Sequence, residues 1–347
     1  MGSPTSKHRN KRKLPLIFSS LLAVLAVVAT ITGHGSGSLI SQQASSSTAS
    51  AITNYGNQTN RNTEVPITAE KSSPAQSTPQ AALQPGGISE AKLRISYIDV
   101  GQGDSILIQT PNGKNMLIDA GDNAAGPTVV NYLQHQGIRR LDAVIWTHPH
   151  ADHIGGADNV LKSFPVGQVY MPNIPANTES YKELLANMRS QNLKPIPAKT
   201  GESVDLDPEV NALFLAPNSS HYLDTNDYSA VLRLTYGENS FLFAGDAQFT
   251  SEQEMLASGY TLKADVLKVG HHGSHSSTSQ AFLSRVQPKY AVISVGKNND
   301  YGHPHPETLV ALDKAGTKIY RTDESGTIVA ESDGRNIKFT TGREISP

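Results

Sequence analysis

The stretch "LDAVIWTHPHADHIGG", residues 141–156, places a dense cluster of polar side chains directly after an apolar run. The run "LDAVIWT" has the length and composition of a buried strand. Three histidines and one aspartate then occupy the six positions from His148 to His153. Because a rigid sheet holds the loops at its strand ends, and such loops often carry function, this stretch predicts both a strand and a functional site.

Three further strand-like runs end in residues of the same chemical kind. "NMLI" is followed by Asp119, "NSFLFAG" by Asp246 and "ADVLKVG" by His271. In α/β proteins, ligands gather outside the ends of strands. We therefore expect these three residues to meet the histidine cluster at one edge of a sheet.

The side chains of this cluster suit two divalent metal ions. His148 and His150 can point at one ion, and Asp152 and His153, across a tight turn, can point at a second. Asp246 can bridge the two. Imidazole nitrogen and carboxylate oxygen are common ligands of Zn²⁺, and the chain has no cysteine to supply a thiolate. The pattern predicts two divalent ions, Zn²⁺ or Mn²⁺, that share a water-derived nucleophile.

From about residue 91 onward, strand-like runs alternate with segments of helical spacing, which indicates an α/β fold. Two late runs, "TKIYRTD" and "GTIVAES", meet at Glu324, Ser325 and Gly326 and predict a hairpin. The predicted helices cover about 127–136, 156–163, 179–190, 250–259, 278–286 and 306–315.

The chain divides into four predicted parts. Residues 1–13 form a basic flank, and residues 14–33 are uncharged and mostly apolar, long enough to span a bilayer as a retained anchor or to act as a cleaved signal peptide. Residues 34–88 are rich in Ser, Thr, Gln and Pro and predict a disordered linker. Residues 91–342 are expected to form the folded domain that carries the predicted metal site. We expect the domain outside the cytoplasm, on a single-pass membrane anchor or secreted after cleavage.

Charge limits the partners. Residues 1–86 carry seven Lys or Arg and two Glu, and the remainder carries 22 basic and 29 acidic residues. Tight binding of duplex DNA needs many Lys and Arg contacts to phosphates. An acidic domain is therefore not expected to hold duplex DNA tightly, although cleavage of a phosphodiester is compatible with it.

Several motifs together resemble the metallo-β-lactamase superfamily. "THPHADHIGG" is similar to its first metal motif, "FAGDA" to its bridging-aspartate motif and "VGHHGS" to its late-histidine motif. More narrowly, "YIDVGQGDSILI", "MLIDAG", "LKVGHHGSHSST" and "NDYGHPH" resemble the hydrolase domain of ComEC-like competence proteins. The resemblance covers about residues 92–332. It implies a four-layer αββα sandwich with a di-metal site at one edge of the paired sheets.

The resemblance also implies two ligand sets. In many members a further histidine completes the first set; here that stretch is "HYLDTNDYSAVLRL", residues 221–234. We expect the first site to be the more weakly occupied, with Asp227 as a reserve ligand. The first set is His148, His150 and Asp246, and the second is Asp152, His153, Asp246 and His271.

The resemblance implies hydrolysis, and of phosphodiesters before β-lactams. A hydroxide oriented by Asp152 would attack phosphorus, and His303 would protonate the leaving oxygen. The expected activity is that of a phosphodiesterase or nuclease on DNA, RNA or a phosphodiester polymer of the cell envelope, with single-stranded nucleic acid among the substrates. Two other functions stay open: hydrolysis of carboxylic esters or lactones, and a metal-stabilised binding module. Fold alone does not choose among them.

Overall fold

The computed structural model describes Gly2 and residues 92–342. The predicted basic flank, apolar segment and linker lie outside these residues. Within 92–342, no helix has the length and apolar character needed to cross a membrane. The strands are β1 Leu93–Tyr97, β2 Ile106–Gln109, β3 Asn115–Ile118, β4 Leu141–Ile145, β5 Val166–Met171, β6 Pro195–Pro197, β7 Ser203–Asp207, β8 Val210–Ala216, β9 Val231–Tyr236, β10 Asn239–Phe243, β11 Val266–Lys268, β12 Tyr290–Ile293, β13 Lys318–Arg321, β14 Ile328–Ser332 and β15 Ile337–Thr341.

The six predicted helices are all present, within two residues of the expected bounds. Thr178 accepts a hydrogen bond from Tyr181 N at the start of α4, and Ser279 does the same for Phe282 N at the start of α6. The sequence did not predict the two single-turn helices α2 and α8. The helices are α1 Gly126–His135, α2 Ala151–Ile154, α3 Ala157–Ser163, α4 Glu179–Ser190, α5 Phe249–Ala257, α6 Gln280–Val286, α7 Pro306–Lys314 and α8 Thr322–Ser325.

Two sheets carry these strands. The first has eight strands in the order β15-β14-β1-β2-β3-β4-β5-β6, and the second has seven in the order β13-β12-β11-β10-β9-β8-β7. Alternate residues of each strand face opposite sides. In β2, for example, Ile106 and Ile108 belong to the core between the sheets, whereas Leu107 packs against helices.

Helices cover the outer face of each sheet. Apolar side chains of α1, α3 and α4 pack on the first sheet, and those of α5, α6 and α7 pack on the second. A third core lies between the sheets and draws side chains from both. The predicted four-layer αββα sandwich is therefore confirmed.

The predicted hairpin around Glu324 is wrong. Strand β13 pairs with β12 in the second sheet, and β14 pairs with β1 in the first. The turn residues between them form α8, through which the chain passes from one sheet to the other. Turn composition signals a reversal of direction, but burial against a sheet decides which strand becomes the partner.

Parallel strands bring the polar loops to common edges. β3 and β4 are parallel, so Asp119 and His148 leave the first sheet at the same end. β10 and β11 are parallel in the second sheet, so Asp246 and the residues after Lys268 also leave together. Pairs of strand ends from the two sheets thus supply the residues of one site.

Candidate metal centre

Four side chains from three loops meet at the shared edge of the sheets. Potential ligand atoms of Asp152, His153, Asp246 and His272 all lie within 4.8 Å of one another. His153 Nε2 is 3.2 Å from Asp246 Oδ2 and 3.9 Å from Asp152 Oδ2. His272 Nε2 is 3.2 Å from Asp152 Oδ2 and 3.5 Å from Asp246 Oδ2. We call these four residues the buried cluster.

Two atoms of the buried cluster have no hydrogen-bond partner within the described part of the chain. They are His153 Nε2 and Asp246 Oδ1, and both are buried. An unpaired buried polar atom costs stability, and an imidazole nitrogen beside a carboxylate oxygen is a typical donor set for Zn²⁺ or Mn²⁺. The residues present therefore fit a divalent ion.

Asp119 orients His153. Its Oδ2 lies 2.8 Å from His153 Nδ1 and accepts a hydrogen bond of 2.6 Å from Thr147 Oγ1. With Nδ1 directed at Asp119, Nε2 of the ring faces the buried cluster. Such a carboxylate behind a histidine fixes the ring and raises its basicity toward a metal. The sequence marked Asp119 as a strand-end residue, but spacing alone gave it no role.

A second pair of histidines lies beside the buried cluster. His148 Nε2 is 3.0 Å from His150 Nδ1 and 3.8 Å from Asp246 Oδ2. Asp227, the expected reserve ligand, is engaged elsewhere, because its Oδ1 accepts hydrogen bonds from Gln248 N and Ser251 N at the start of α5. Asp227 therefore adds no ligand to this pair in the structure. Weaker metal occupancy of the site formed by His148, His150 and Asp246 stays a prediction.

The late histidine of the cluster is His272, whereas the sequence prediction named His271. His271 has Nδ1 3.2 Å from Ser276 Oγ and Nε2 3.9 Å from Asp246 Oδ2, and its side chain is 24% exposed. Both residues have left-handed backbone, with φ of 47° and 52°. This tight turn directs the two adjacent rings differently, and the motif "VGHHGS" contains no signal that separates them.

Charge is balanced inside the cluster by histidine protons. Burial opposes protonation of His153 and His272, but the surrounding carboxylates, led by Asp246, raise the pKa of each well above its ordinary value. Burial also disfavours the charged form of Asp246, yet the two histidines hold its pKa well below the ordinary value. In the metal-free protein, protons therefore supply the positive charge that an ion would provide.

His303 lies beside the cluster. Its ring centroid is 5.4 Å from that of His271 and 6.3 Å from that of His272. Burial and the neighbouring histidines lower its pKa to about 4. The neutral imidazole is thus the dominant form at neutral pH, and the role of His303 in protonating the leaving oxygen stays a prediction.

The comparisons with known proteins agree with this fold. A sequence profile described as the Metallo-beta-lactamase superfamily matches residues 98–297, more than half of the chain. The protein belongs to the metallo-β-lactamase superfamily.

Its relatives include competence proteins. The chain is 34% identical over 251 residues to "ComE operon protein 3" of Bacillus subtilis, which covers 67% of this chain and 32% of that protein. It is also 34% identical over 249 residues to "Competence protein ComA" of Neisseria gonorrhoeae, which covers 71% of this chain and 33% of that protein. The resemblance to ComEC-like proteins is confirmed, and the chain spans about a third of the length of these relatives.

Among solved structures, the metallo-β-lactamase fold protein YhfI of Bacillus subtilis is similar, with a TM-score of 0.47 and 14% identity, covering 70% of this chain and 100% of that chain.

Measurements of metal binding can distinguish the roles of His271 and His272. We expect His272→Ala to weaken Zn²⁺ binding by about 100-fold or more, beyond the 10–100-fold typical of residues that only support a ligand. The matched variant His271→Ala should retain the metal content of the unaltered protein after dialysis, as measured by mass spectrometry of bound metal. If His271→Ala lost its metal while His272→Ala kept a full metal content, His271 would be the ligand, as the sequence predicts.

Metal and protons should compete for the cluster. A raised folded-state pKa of His153 and His272 stabilises the protein below the unfolded pKa of about 6.5, and this stability is lost as pH rises through the folded pKa. We expect Tm of metal-free protein to fall as pH rises above about 6.5, and excess Zn²⁺ to reduce that fall because the ion replaces the protons. Parallel Tm curves with and without Zn²⁺ would contradict this.

Proposed function

We propose that this protein is a metal-dependent phosphodiesterase that acts outside the cytoplasm on small or single-stranded phosphodiesters. The observation that carries the proposal is the metal centre with a polar cavity beside it. The superfamily relationship supports metal-dependent hydrolysis, and the cavity supports the choice of substrate.

The polar cavity has a volume of about 630 Å³ and shares His303 with the edge of the metal centre. Lys297 and Asn299 also line it, as does Arg321, whose guanidinium pairs with Asp323 and with a second carboxylate. Ammonium and amide groups suit the charged and hydrogen-bonding backbone of a phosphodiester. The charges nearly cancel, so the cavity favours a short substrate over a long polyanion.

An aromatic stack leads outward from the metal centre. The ring of His303 is stacked on His272 at 6.3 Å and 30°, and Tyr301 is stacked on His303 at 5.6 Å and 22°. Tyr301 is 66% exposed. Exposed aromatic rings bind unpaired nucleobases by stacking, without dependence on sequence. This arrangement supports a single-stranded substrate, whose bases are free to stack.

The chain's own residues account for much of the chemistry. Divalent ions, when bound, lower the pKa of water and offset the charge that develops on the phosphoryl oxygens. Asp152 is ionised, since the charge of His153 and a hydrogen bond from His272 lower its pKa despite burial. Its carboxylate is 31% exposed and can accept a hydrogen bond from the attacking water. Neutral His303 can donate a hydrogen bond to a phosphate or leaving oxygen.

The alternative, hydrolysis of carboxylic esters or lactones, needs an apolar cavity for an acyl chain. The apolar side of the site lies next to His148, where Trp146, Ile154 and Leu184 are each 1% exposed. These side chains fill the space beside His148. A neighbouring, mostly apolar cavity of about 260 Å³, lined by Met171, Pro172 and Tyr181 among others, includes no residue of the buried cluster. The geometry therefore favours a phosphodiester over an acyl substrate.

A substrate panel tests the proposed activity. We expect hydrolysis of bis(p-nitrophenyl) phosphate and single-stranded DNA with Zn²⁺ or Mn²⁺, and little hydrolysis of a p-nitrophenyl ester or an acyl lactone. His148→Ala and Asp246→Ala should each lower kcat/KM by about 10²-fold or more, because charge stabilisation in the transition state is lost. The His148→Ala variant should also bind duplex DNA only weakly at physiological salt.

Several results would oppose the proposal. Full activity after metal removal would exclude metal-dependent hydrolysis, and faster turnover of the lactone than of both phosphodiesters would favour the alternative. Nanomolar duplex binding by His148→Ala would indicate a dedicated duplex-processing role instead.

The extracytoplasmic location rests on residues 14–33, which lie outside the described residues. With these residues retained as an anchor, protease added to intact cells should remove the hydrolase domain, which beforehand fractionates with membranes. With the segment cleaved, the domain should appear in the medium or the periplasm. Recovery of the protein from the cytosol, protected from external protease, would refute both versions.

A further inference from the structure

A fully buried lysine lies behind the metal centre. Lys268, the last residue of β11, is 0% exposed and is among the largest fully buried side chains of residues 92–342. Its Nζ is 2.7 Å from Asp104 Oδ2 and donates a hydrogen bond of 2.9 Å to Val269 O. Such an ammonium needs a charged partner, because a buried charge without one is strongly destabilising. Asp104 is that partner.

Asp104 is fixed to the loop that carries Asp152. Its backbone N donates to Asp152 O at 3.2 Å, and its backbone O accepts from Gly121 N at 2.8 Å. At Gly103, with φ of 134°, a Cβ would lie 2.3 Å from Asp152 O, so only glycine permits this approach. The Asp104 carboxylate therefore has one position relative to the cluster.

That carboxylate faces His272. Asp104 Oδ1 is 3.5 Å from His272 Nδ1, is buried, and has no hydrogen-bond partner among the described residues. His272 Nδ1 itself lies 2.9 Å from Ser294 O, so a proton on Nδ1 is donated to that carbonyl. Nε2 of the ring is then directed at Asp152 and Asp246, where it would bind an ion in place of its own proton.

We propose that the ion pair of Asp104 and Lys268 is a positioning device for His272 that also sets the charge behind the metal centre. Asp104 favours the proton on Nδ1 and leaves Nε2 free as a ligand. Lys268 neutralises the charge of Asp104, so that the carboxylate neither raises the metal affinity of the centre nor binds the ion itself. The inference rests on the metal-dependent function proposed above, since it concerns the same centre.

A purely structural ion pair gives a different expectation. If the pair only filled space, removal of either partner would loosen the loop and weaken metal binding in both variants. A charge-setting pair instead shifts metal affinity in opposite directions. Asp104→Asn leaves the ammonium uncompensated near the ion, whereas Lys268→Met leaves a carboxylate uncompensated there.

The test measures Zn²⁺ affinity by calorimetry, with Tm recorded for each variant. We expect Asp104→Asn to weaken binding by 10–100-fold, as for other residues that support a ligand. We expect Lys268→Met to strengthen it by about tenfold, because loss of the ammonium removes a repulsive charge and leaves the Asp104 carboxylate free to attract a cation even at a high effective dielectric. Both variants should lower Tm.

The double variant Asp104→Asn/Lys268→Met removes both charges, and its Zn²⁺ affinity should exceed that of Asp104→Asn alone. This comparison holds even where Lys268→Met alone does not fold. Lys289→Met is the matched control, because it removes a lysine paired with Asp265 at 3.0 Å that is 72% exposed. The control should leave Zn²⁺ affinity unchanged.

Equal weakening by Asp104→Asn and Lys268→Met, or a double variant no better than Asp104→Asn, would overturn the inference. The proposed function would survive that result, because the unaltered protein would still bind Zn²⁺. Failure of the unaltered protein to bind Zn²⁺ or Mn²⁺ would instead remove the proposed function and the inference together.

Discussion

The structure depends on the contact of Asp246 with His153 and His272 at the edge where the two sheets meet. The carboxylate is buried, and its Oδ2 lies 3.2 Å and 3.5 Å from the two Nε2 atoms. A carboxylate in such surroundings is tolerated only with compensating positive charge. Protons supply that charge in the metal-free chain, and divalent ions fit the same space. The fold of the two sheets thus buries the Asp246 carboxylate at a position where it needs nearby positive charge, from histidine protons or from metal ions.

Much of the fold is predictable from sequence because most strands and helices carry their own local pattern of apolar residues. Apolar runs with β-branched residues gave the central strands, and the helices from α1 to α7, except the single-turn α2, had clear periodicity. The error at Glu324 has a physical cause, since turn residues fix a change of direction and not the partner of the next strand. Short edge strands such as Pro195–Pro197 lack an apolar pattern and were missed.

The site was predictable to the level of motifs and not of individual atoms. The motif around His148 brings potential ligand side chains together in space, yet "HH" in the late motif hides which ring enters the cluster, because the backbone of the turn decides it. Asp119 contacts His153, and Lys268 contacts Asp104, between segments that are distant in the chain, so sequence spacing does not reveal these contacts. Asp227 Oδ1 accepts two backbone hydrogen bonds at the start of α5, a contact that sequence spacing does not indicate.

Strand ends of the two sheets build one candidate metal centre around Asp246. Anomalous diffraction at the zinc or manganese absorption edge, from crystals grown with the metal, would locate bound ions. We expect an anomalous peak in contact with Asp152, His153, Asp246 and His272, and a second, weaker peak at His148 and His150. The absence of any peak at Asp246, with metal bound elsewhere or not at all, would contradict this expectation.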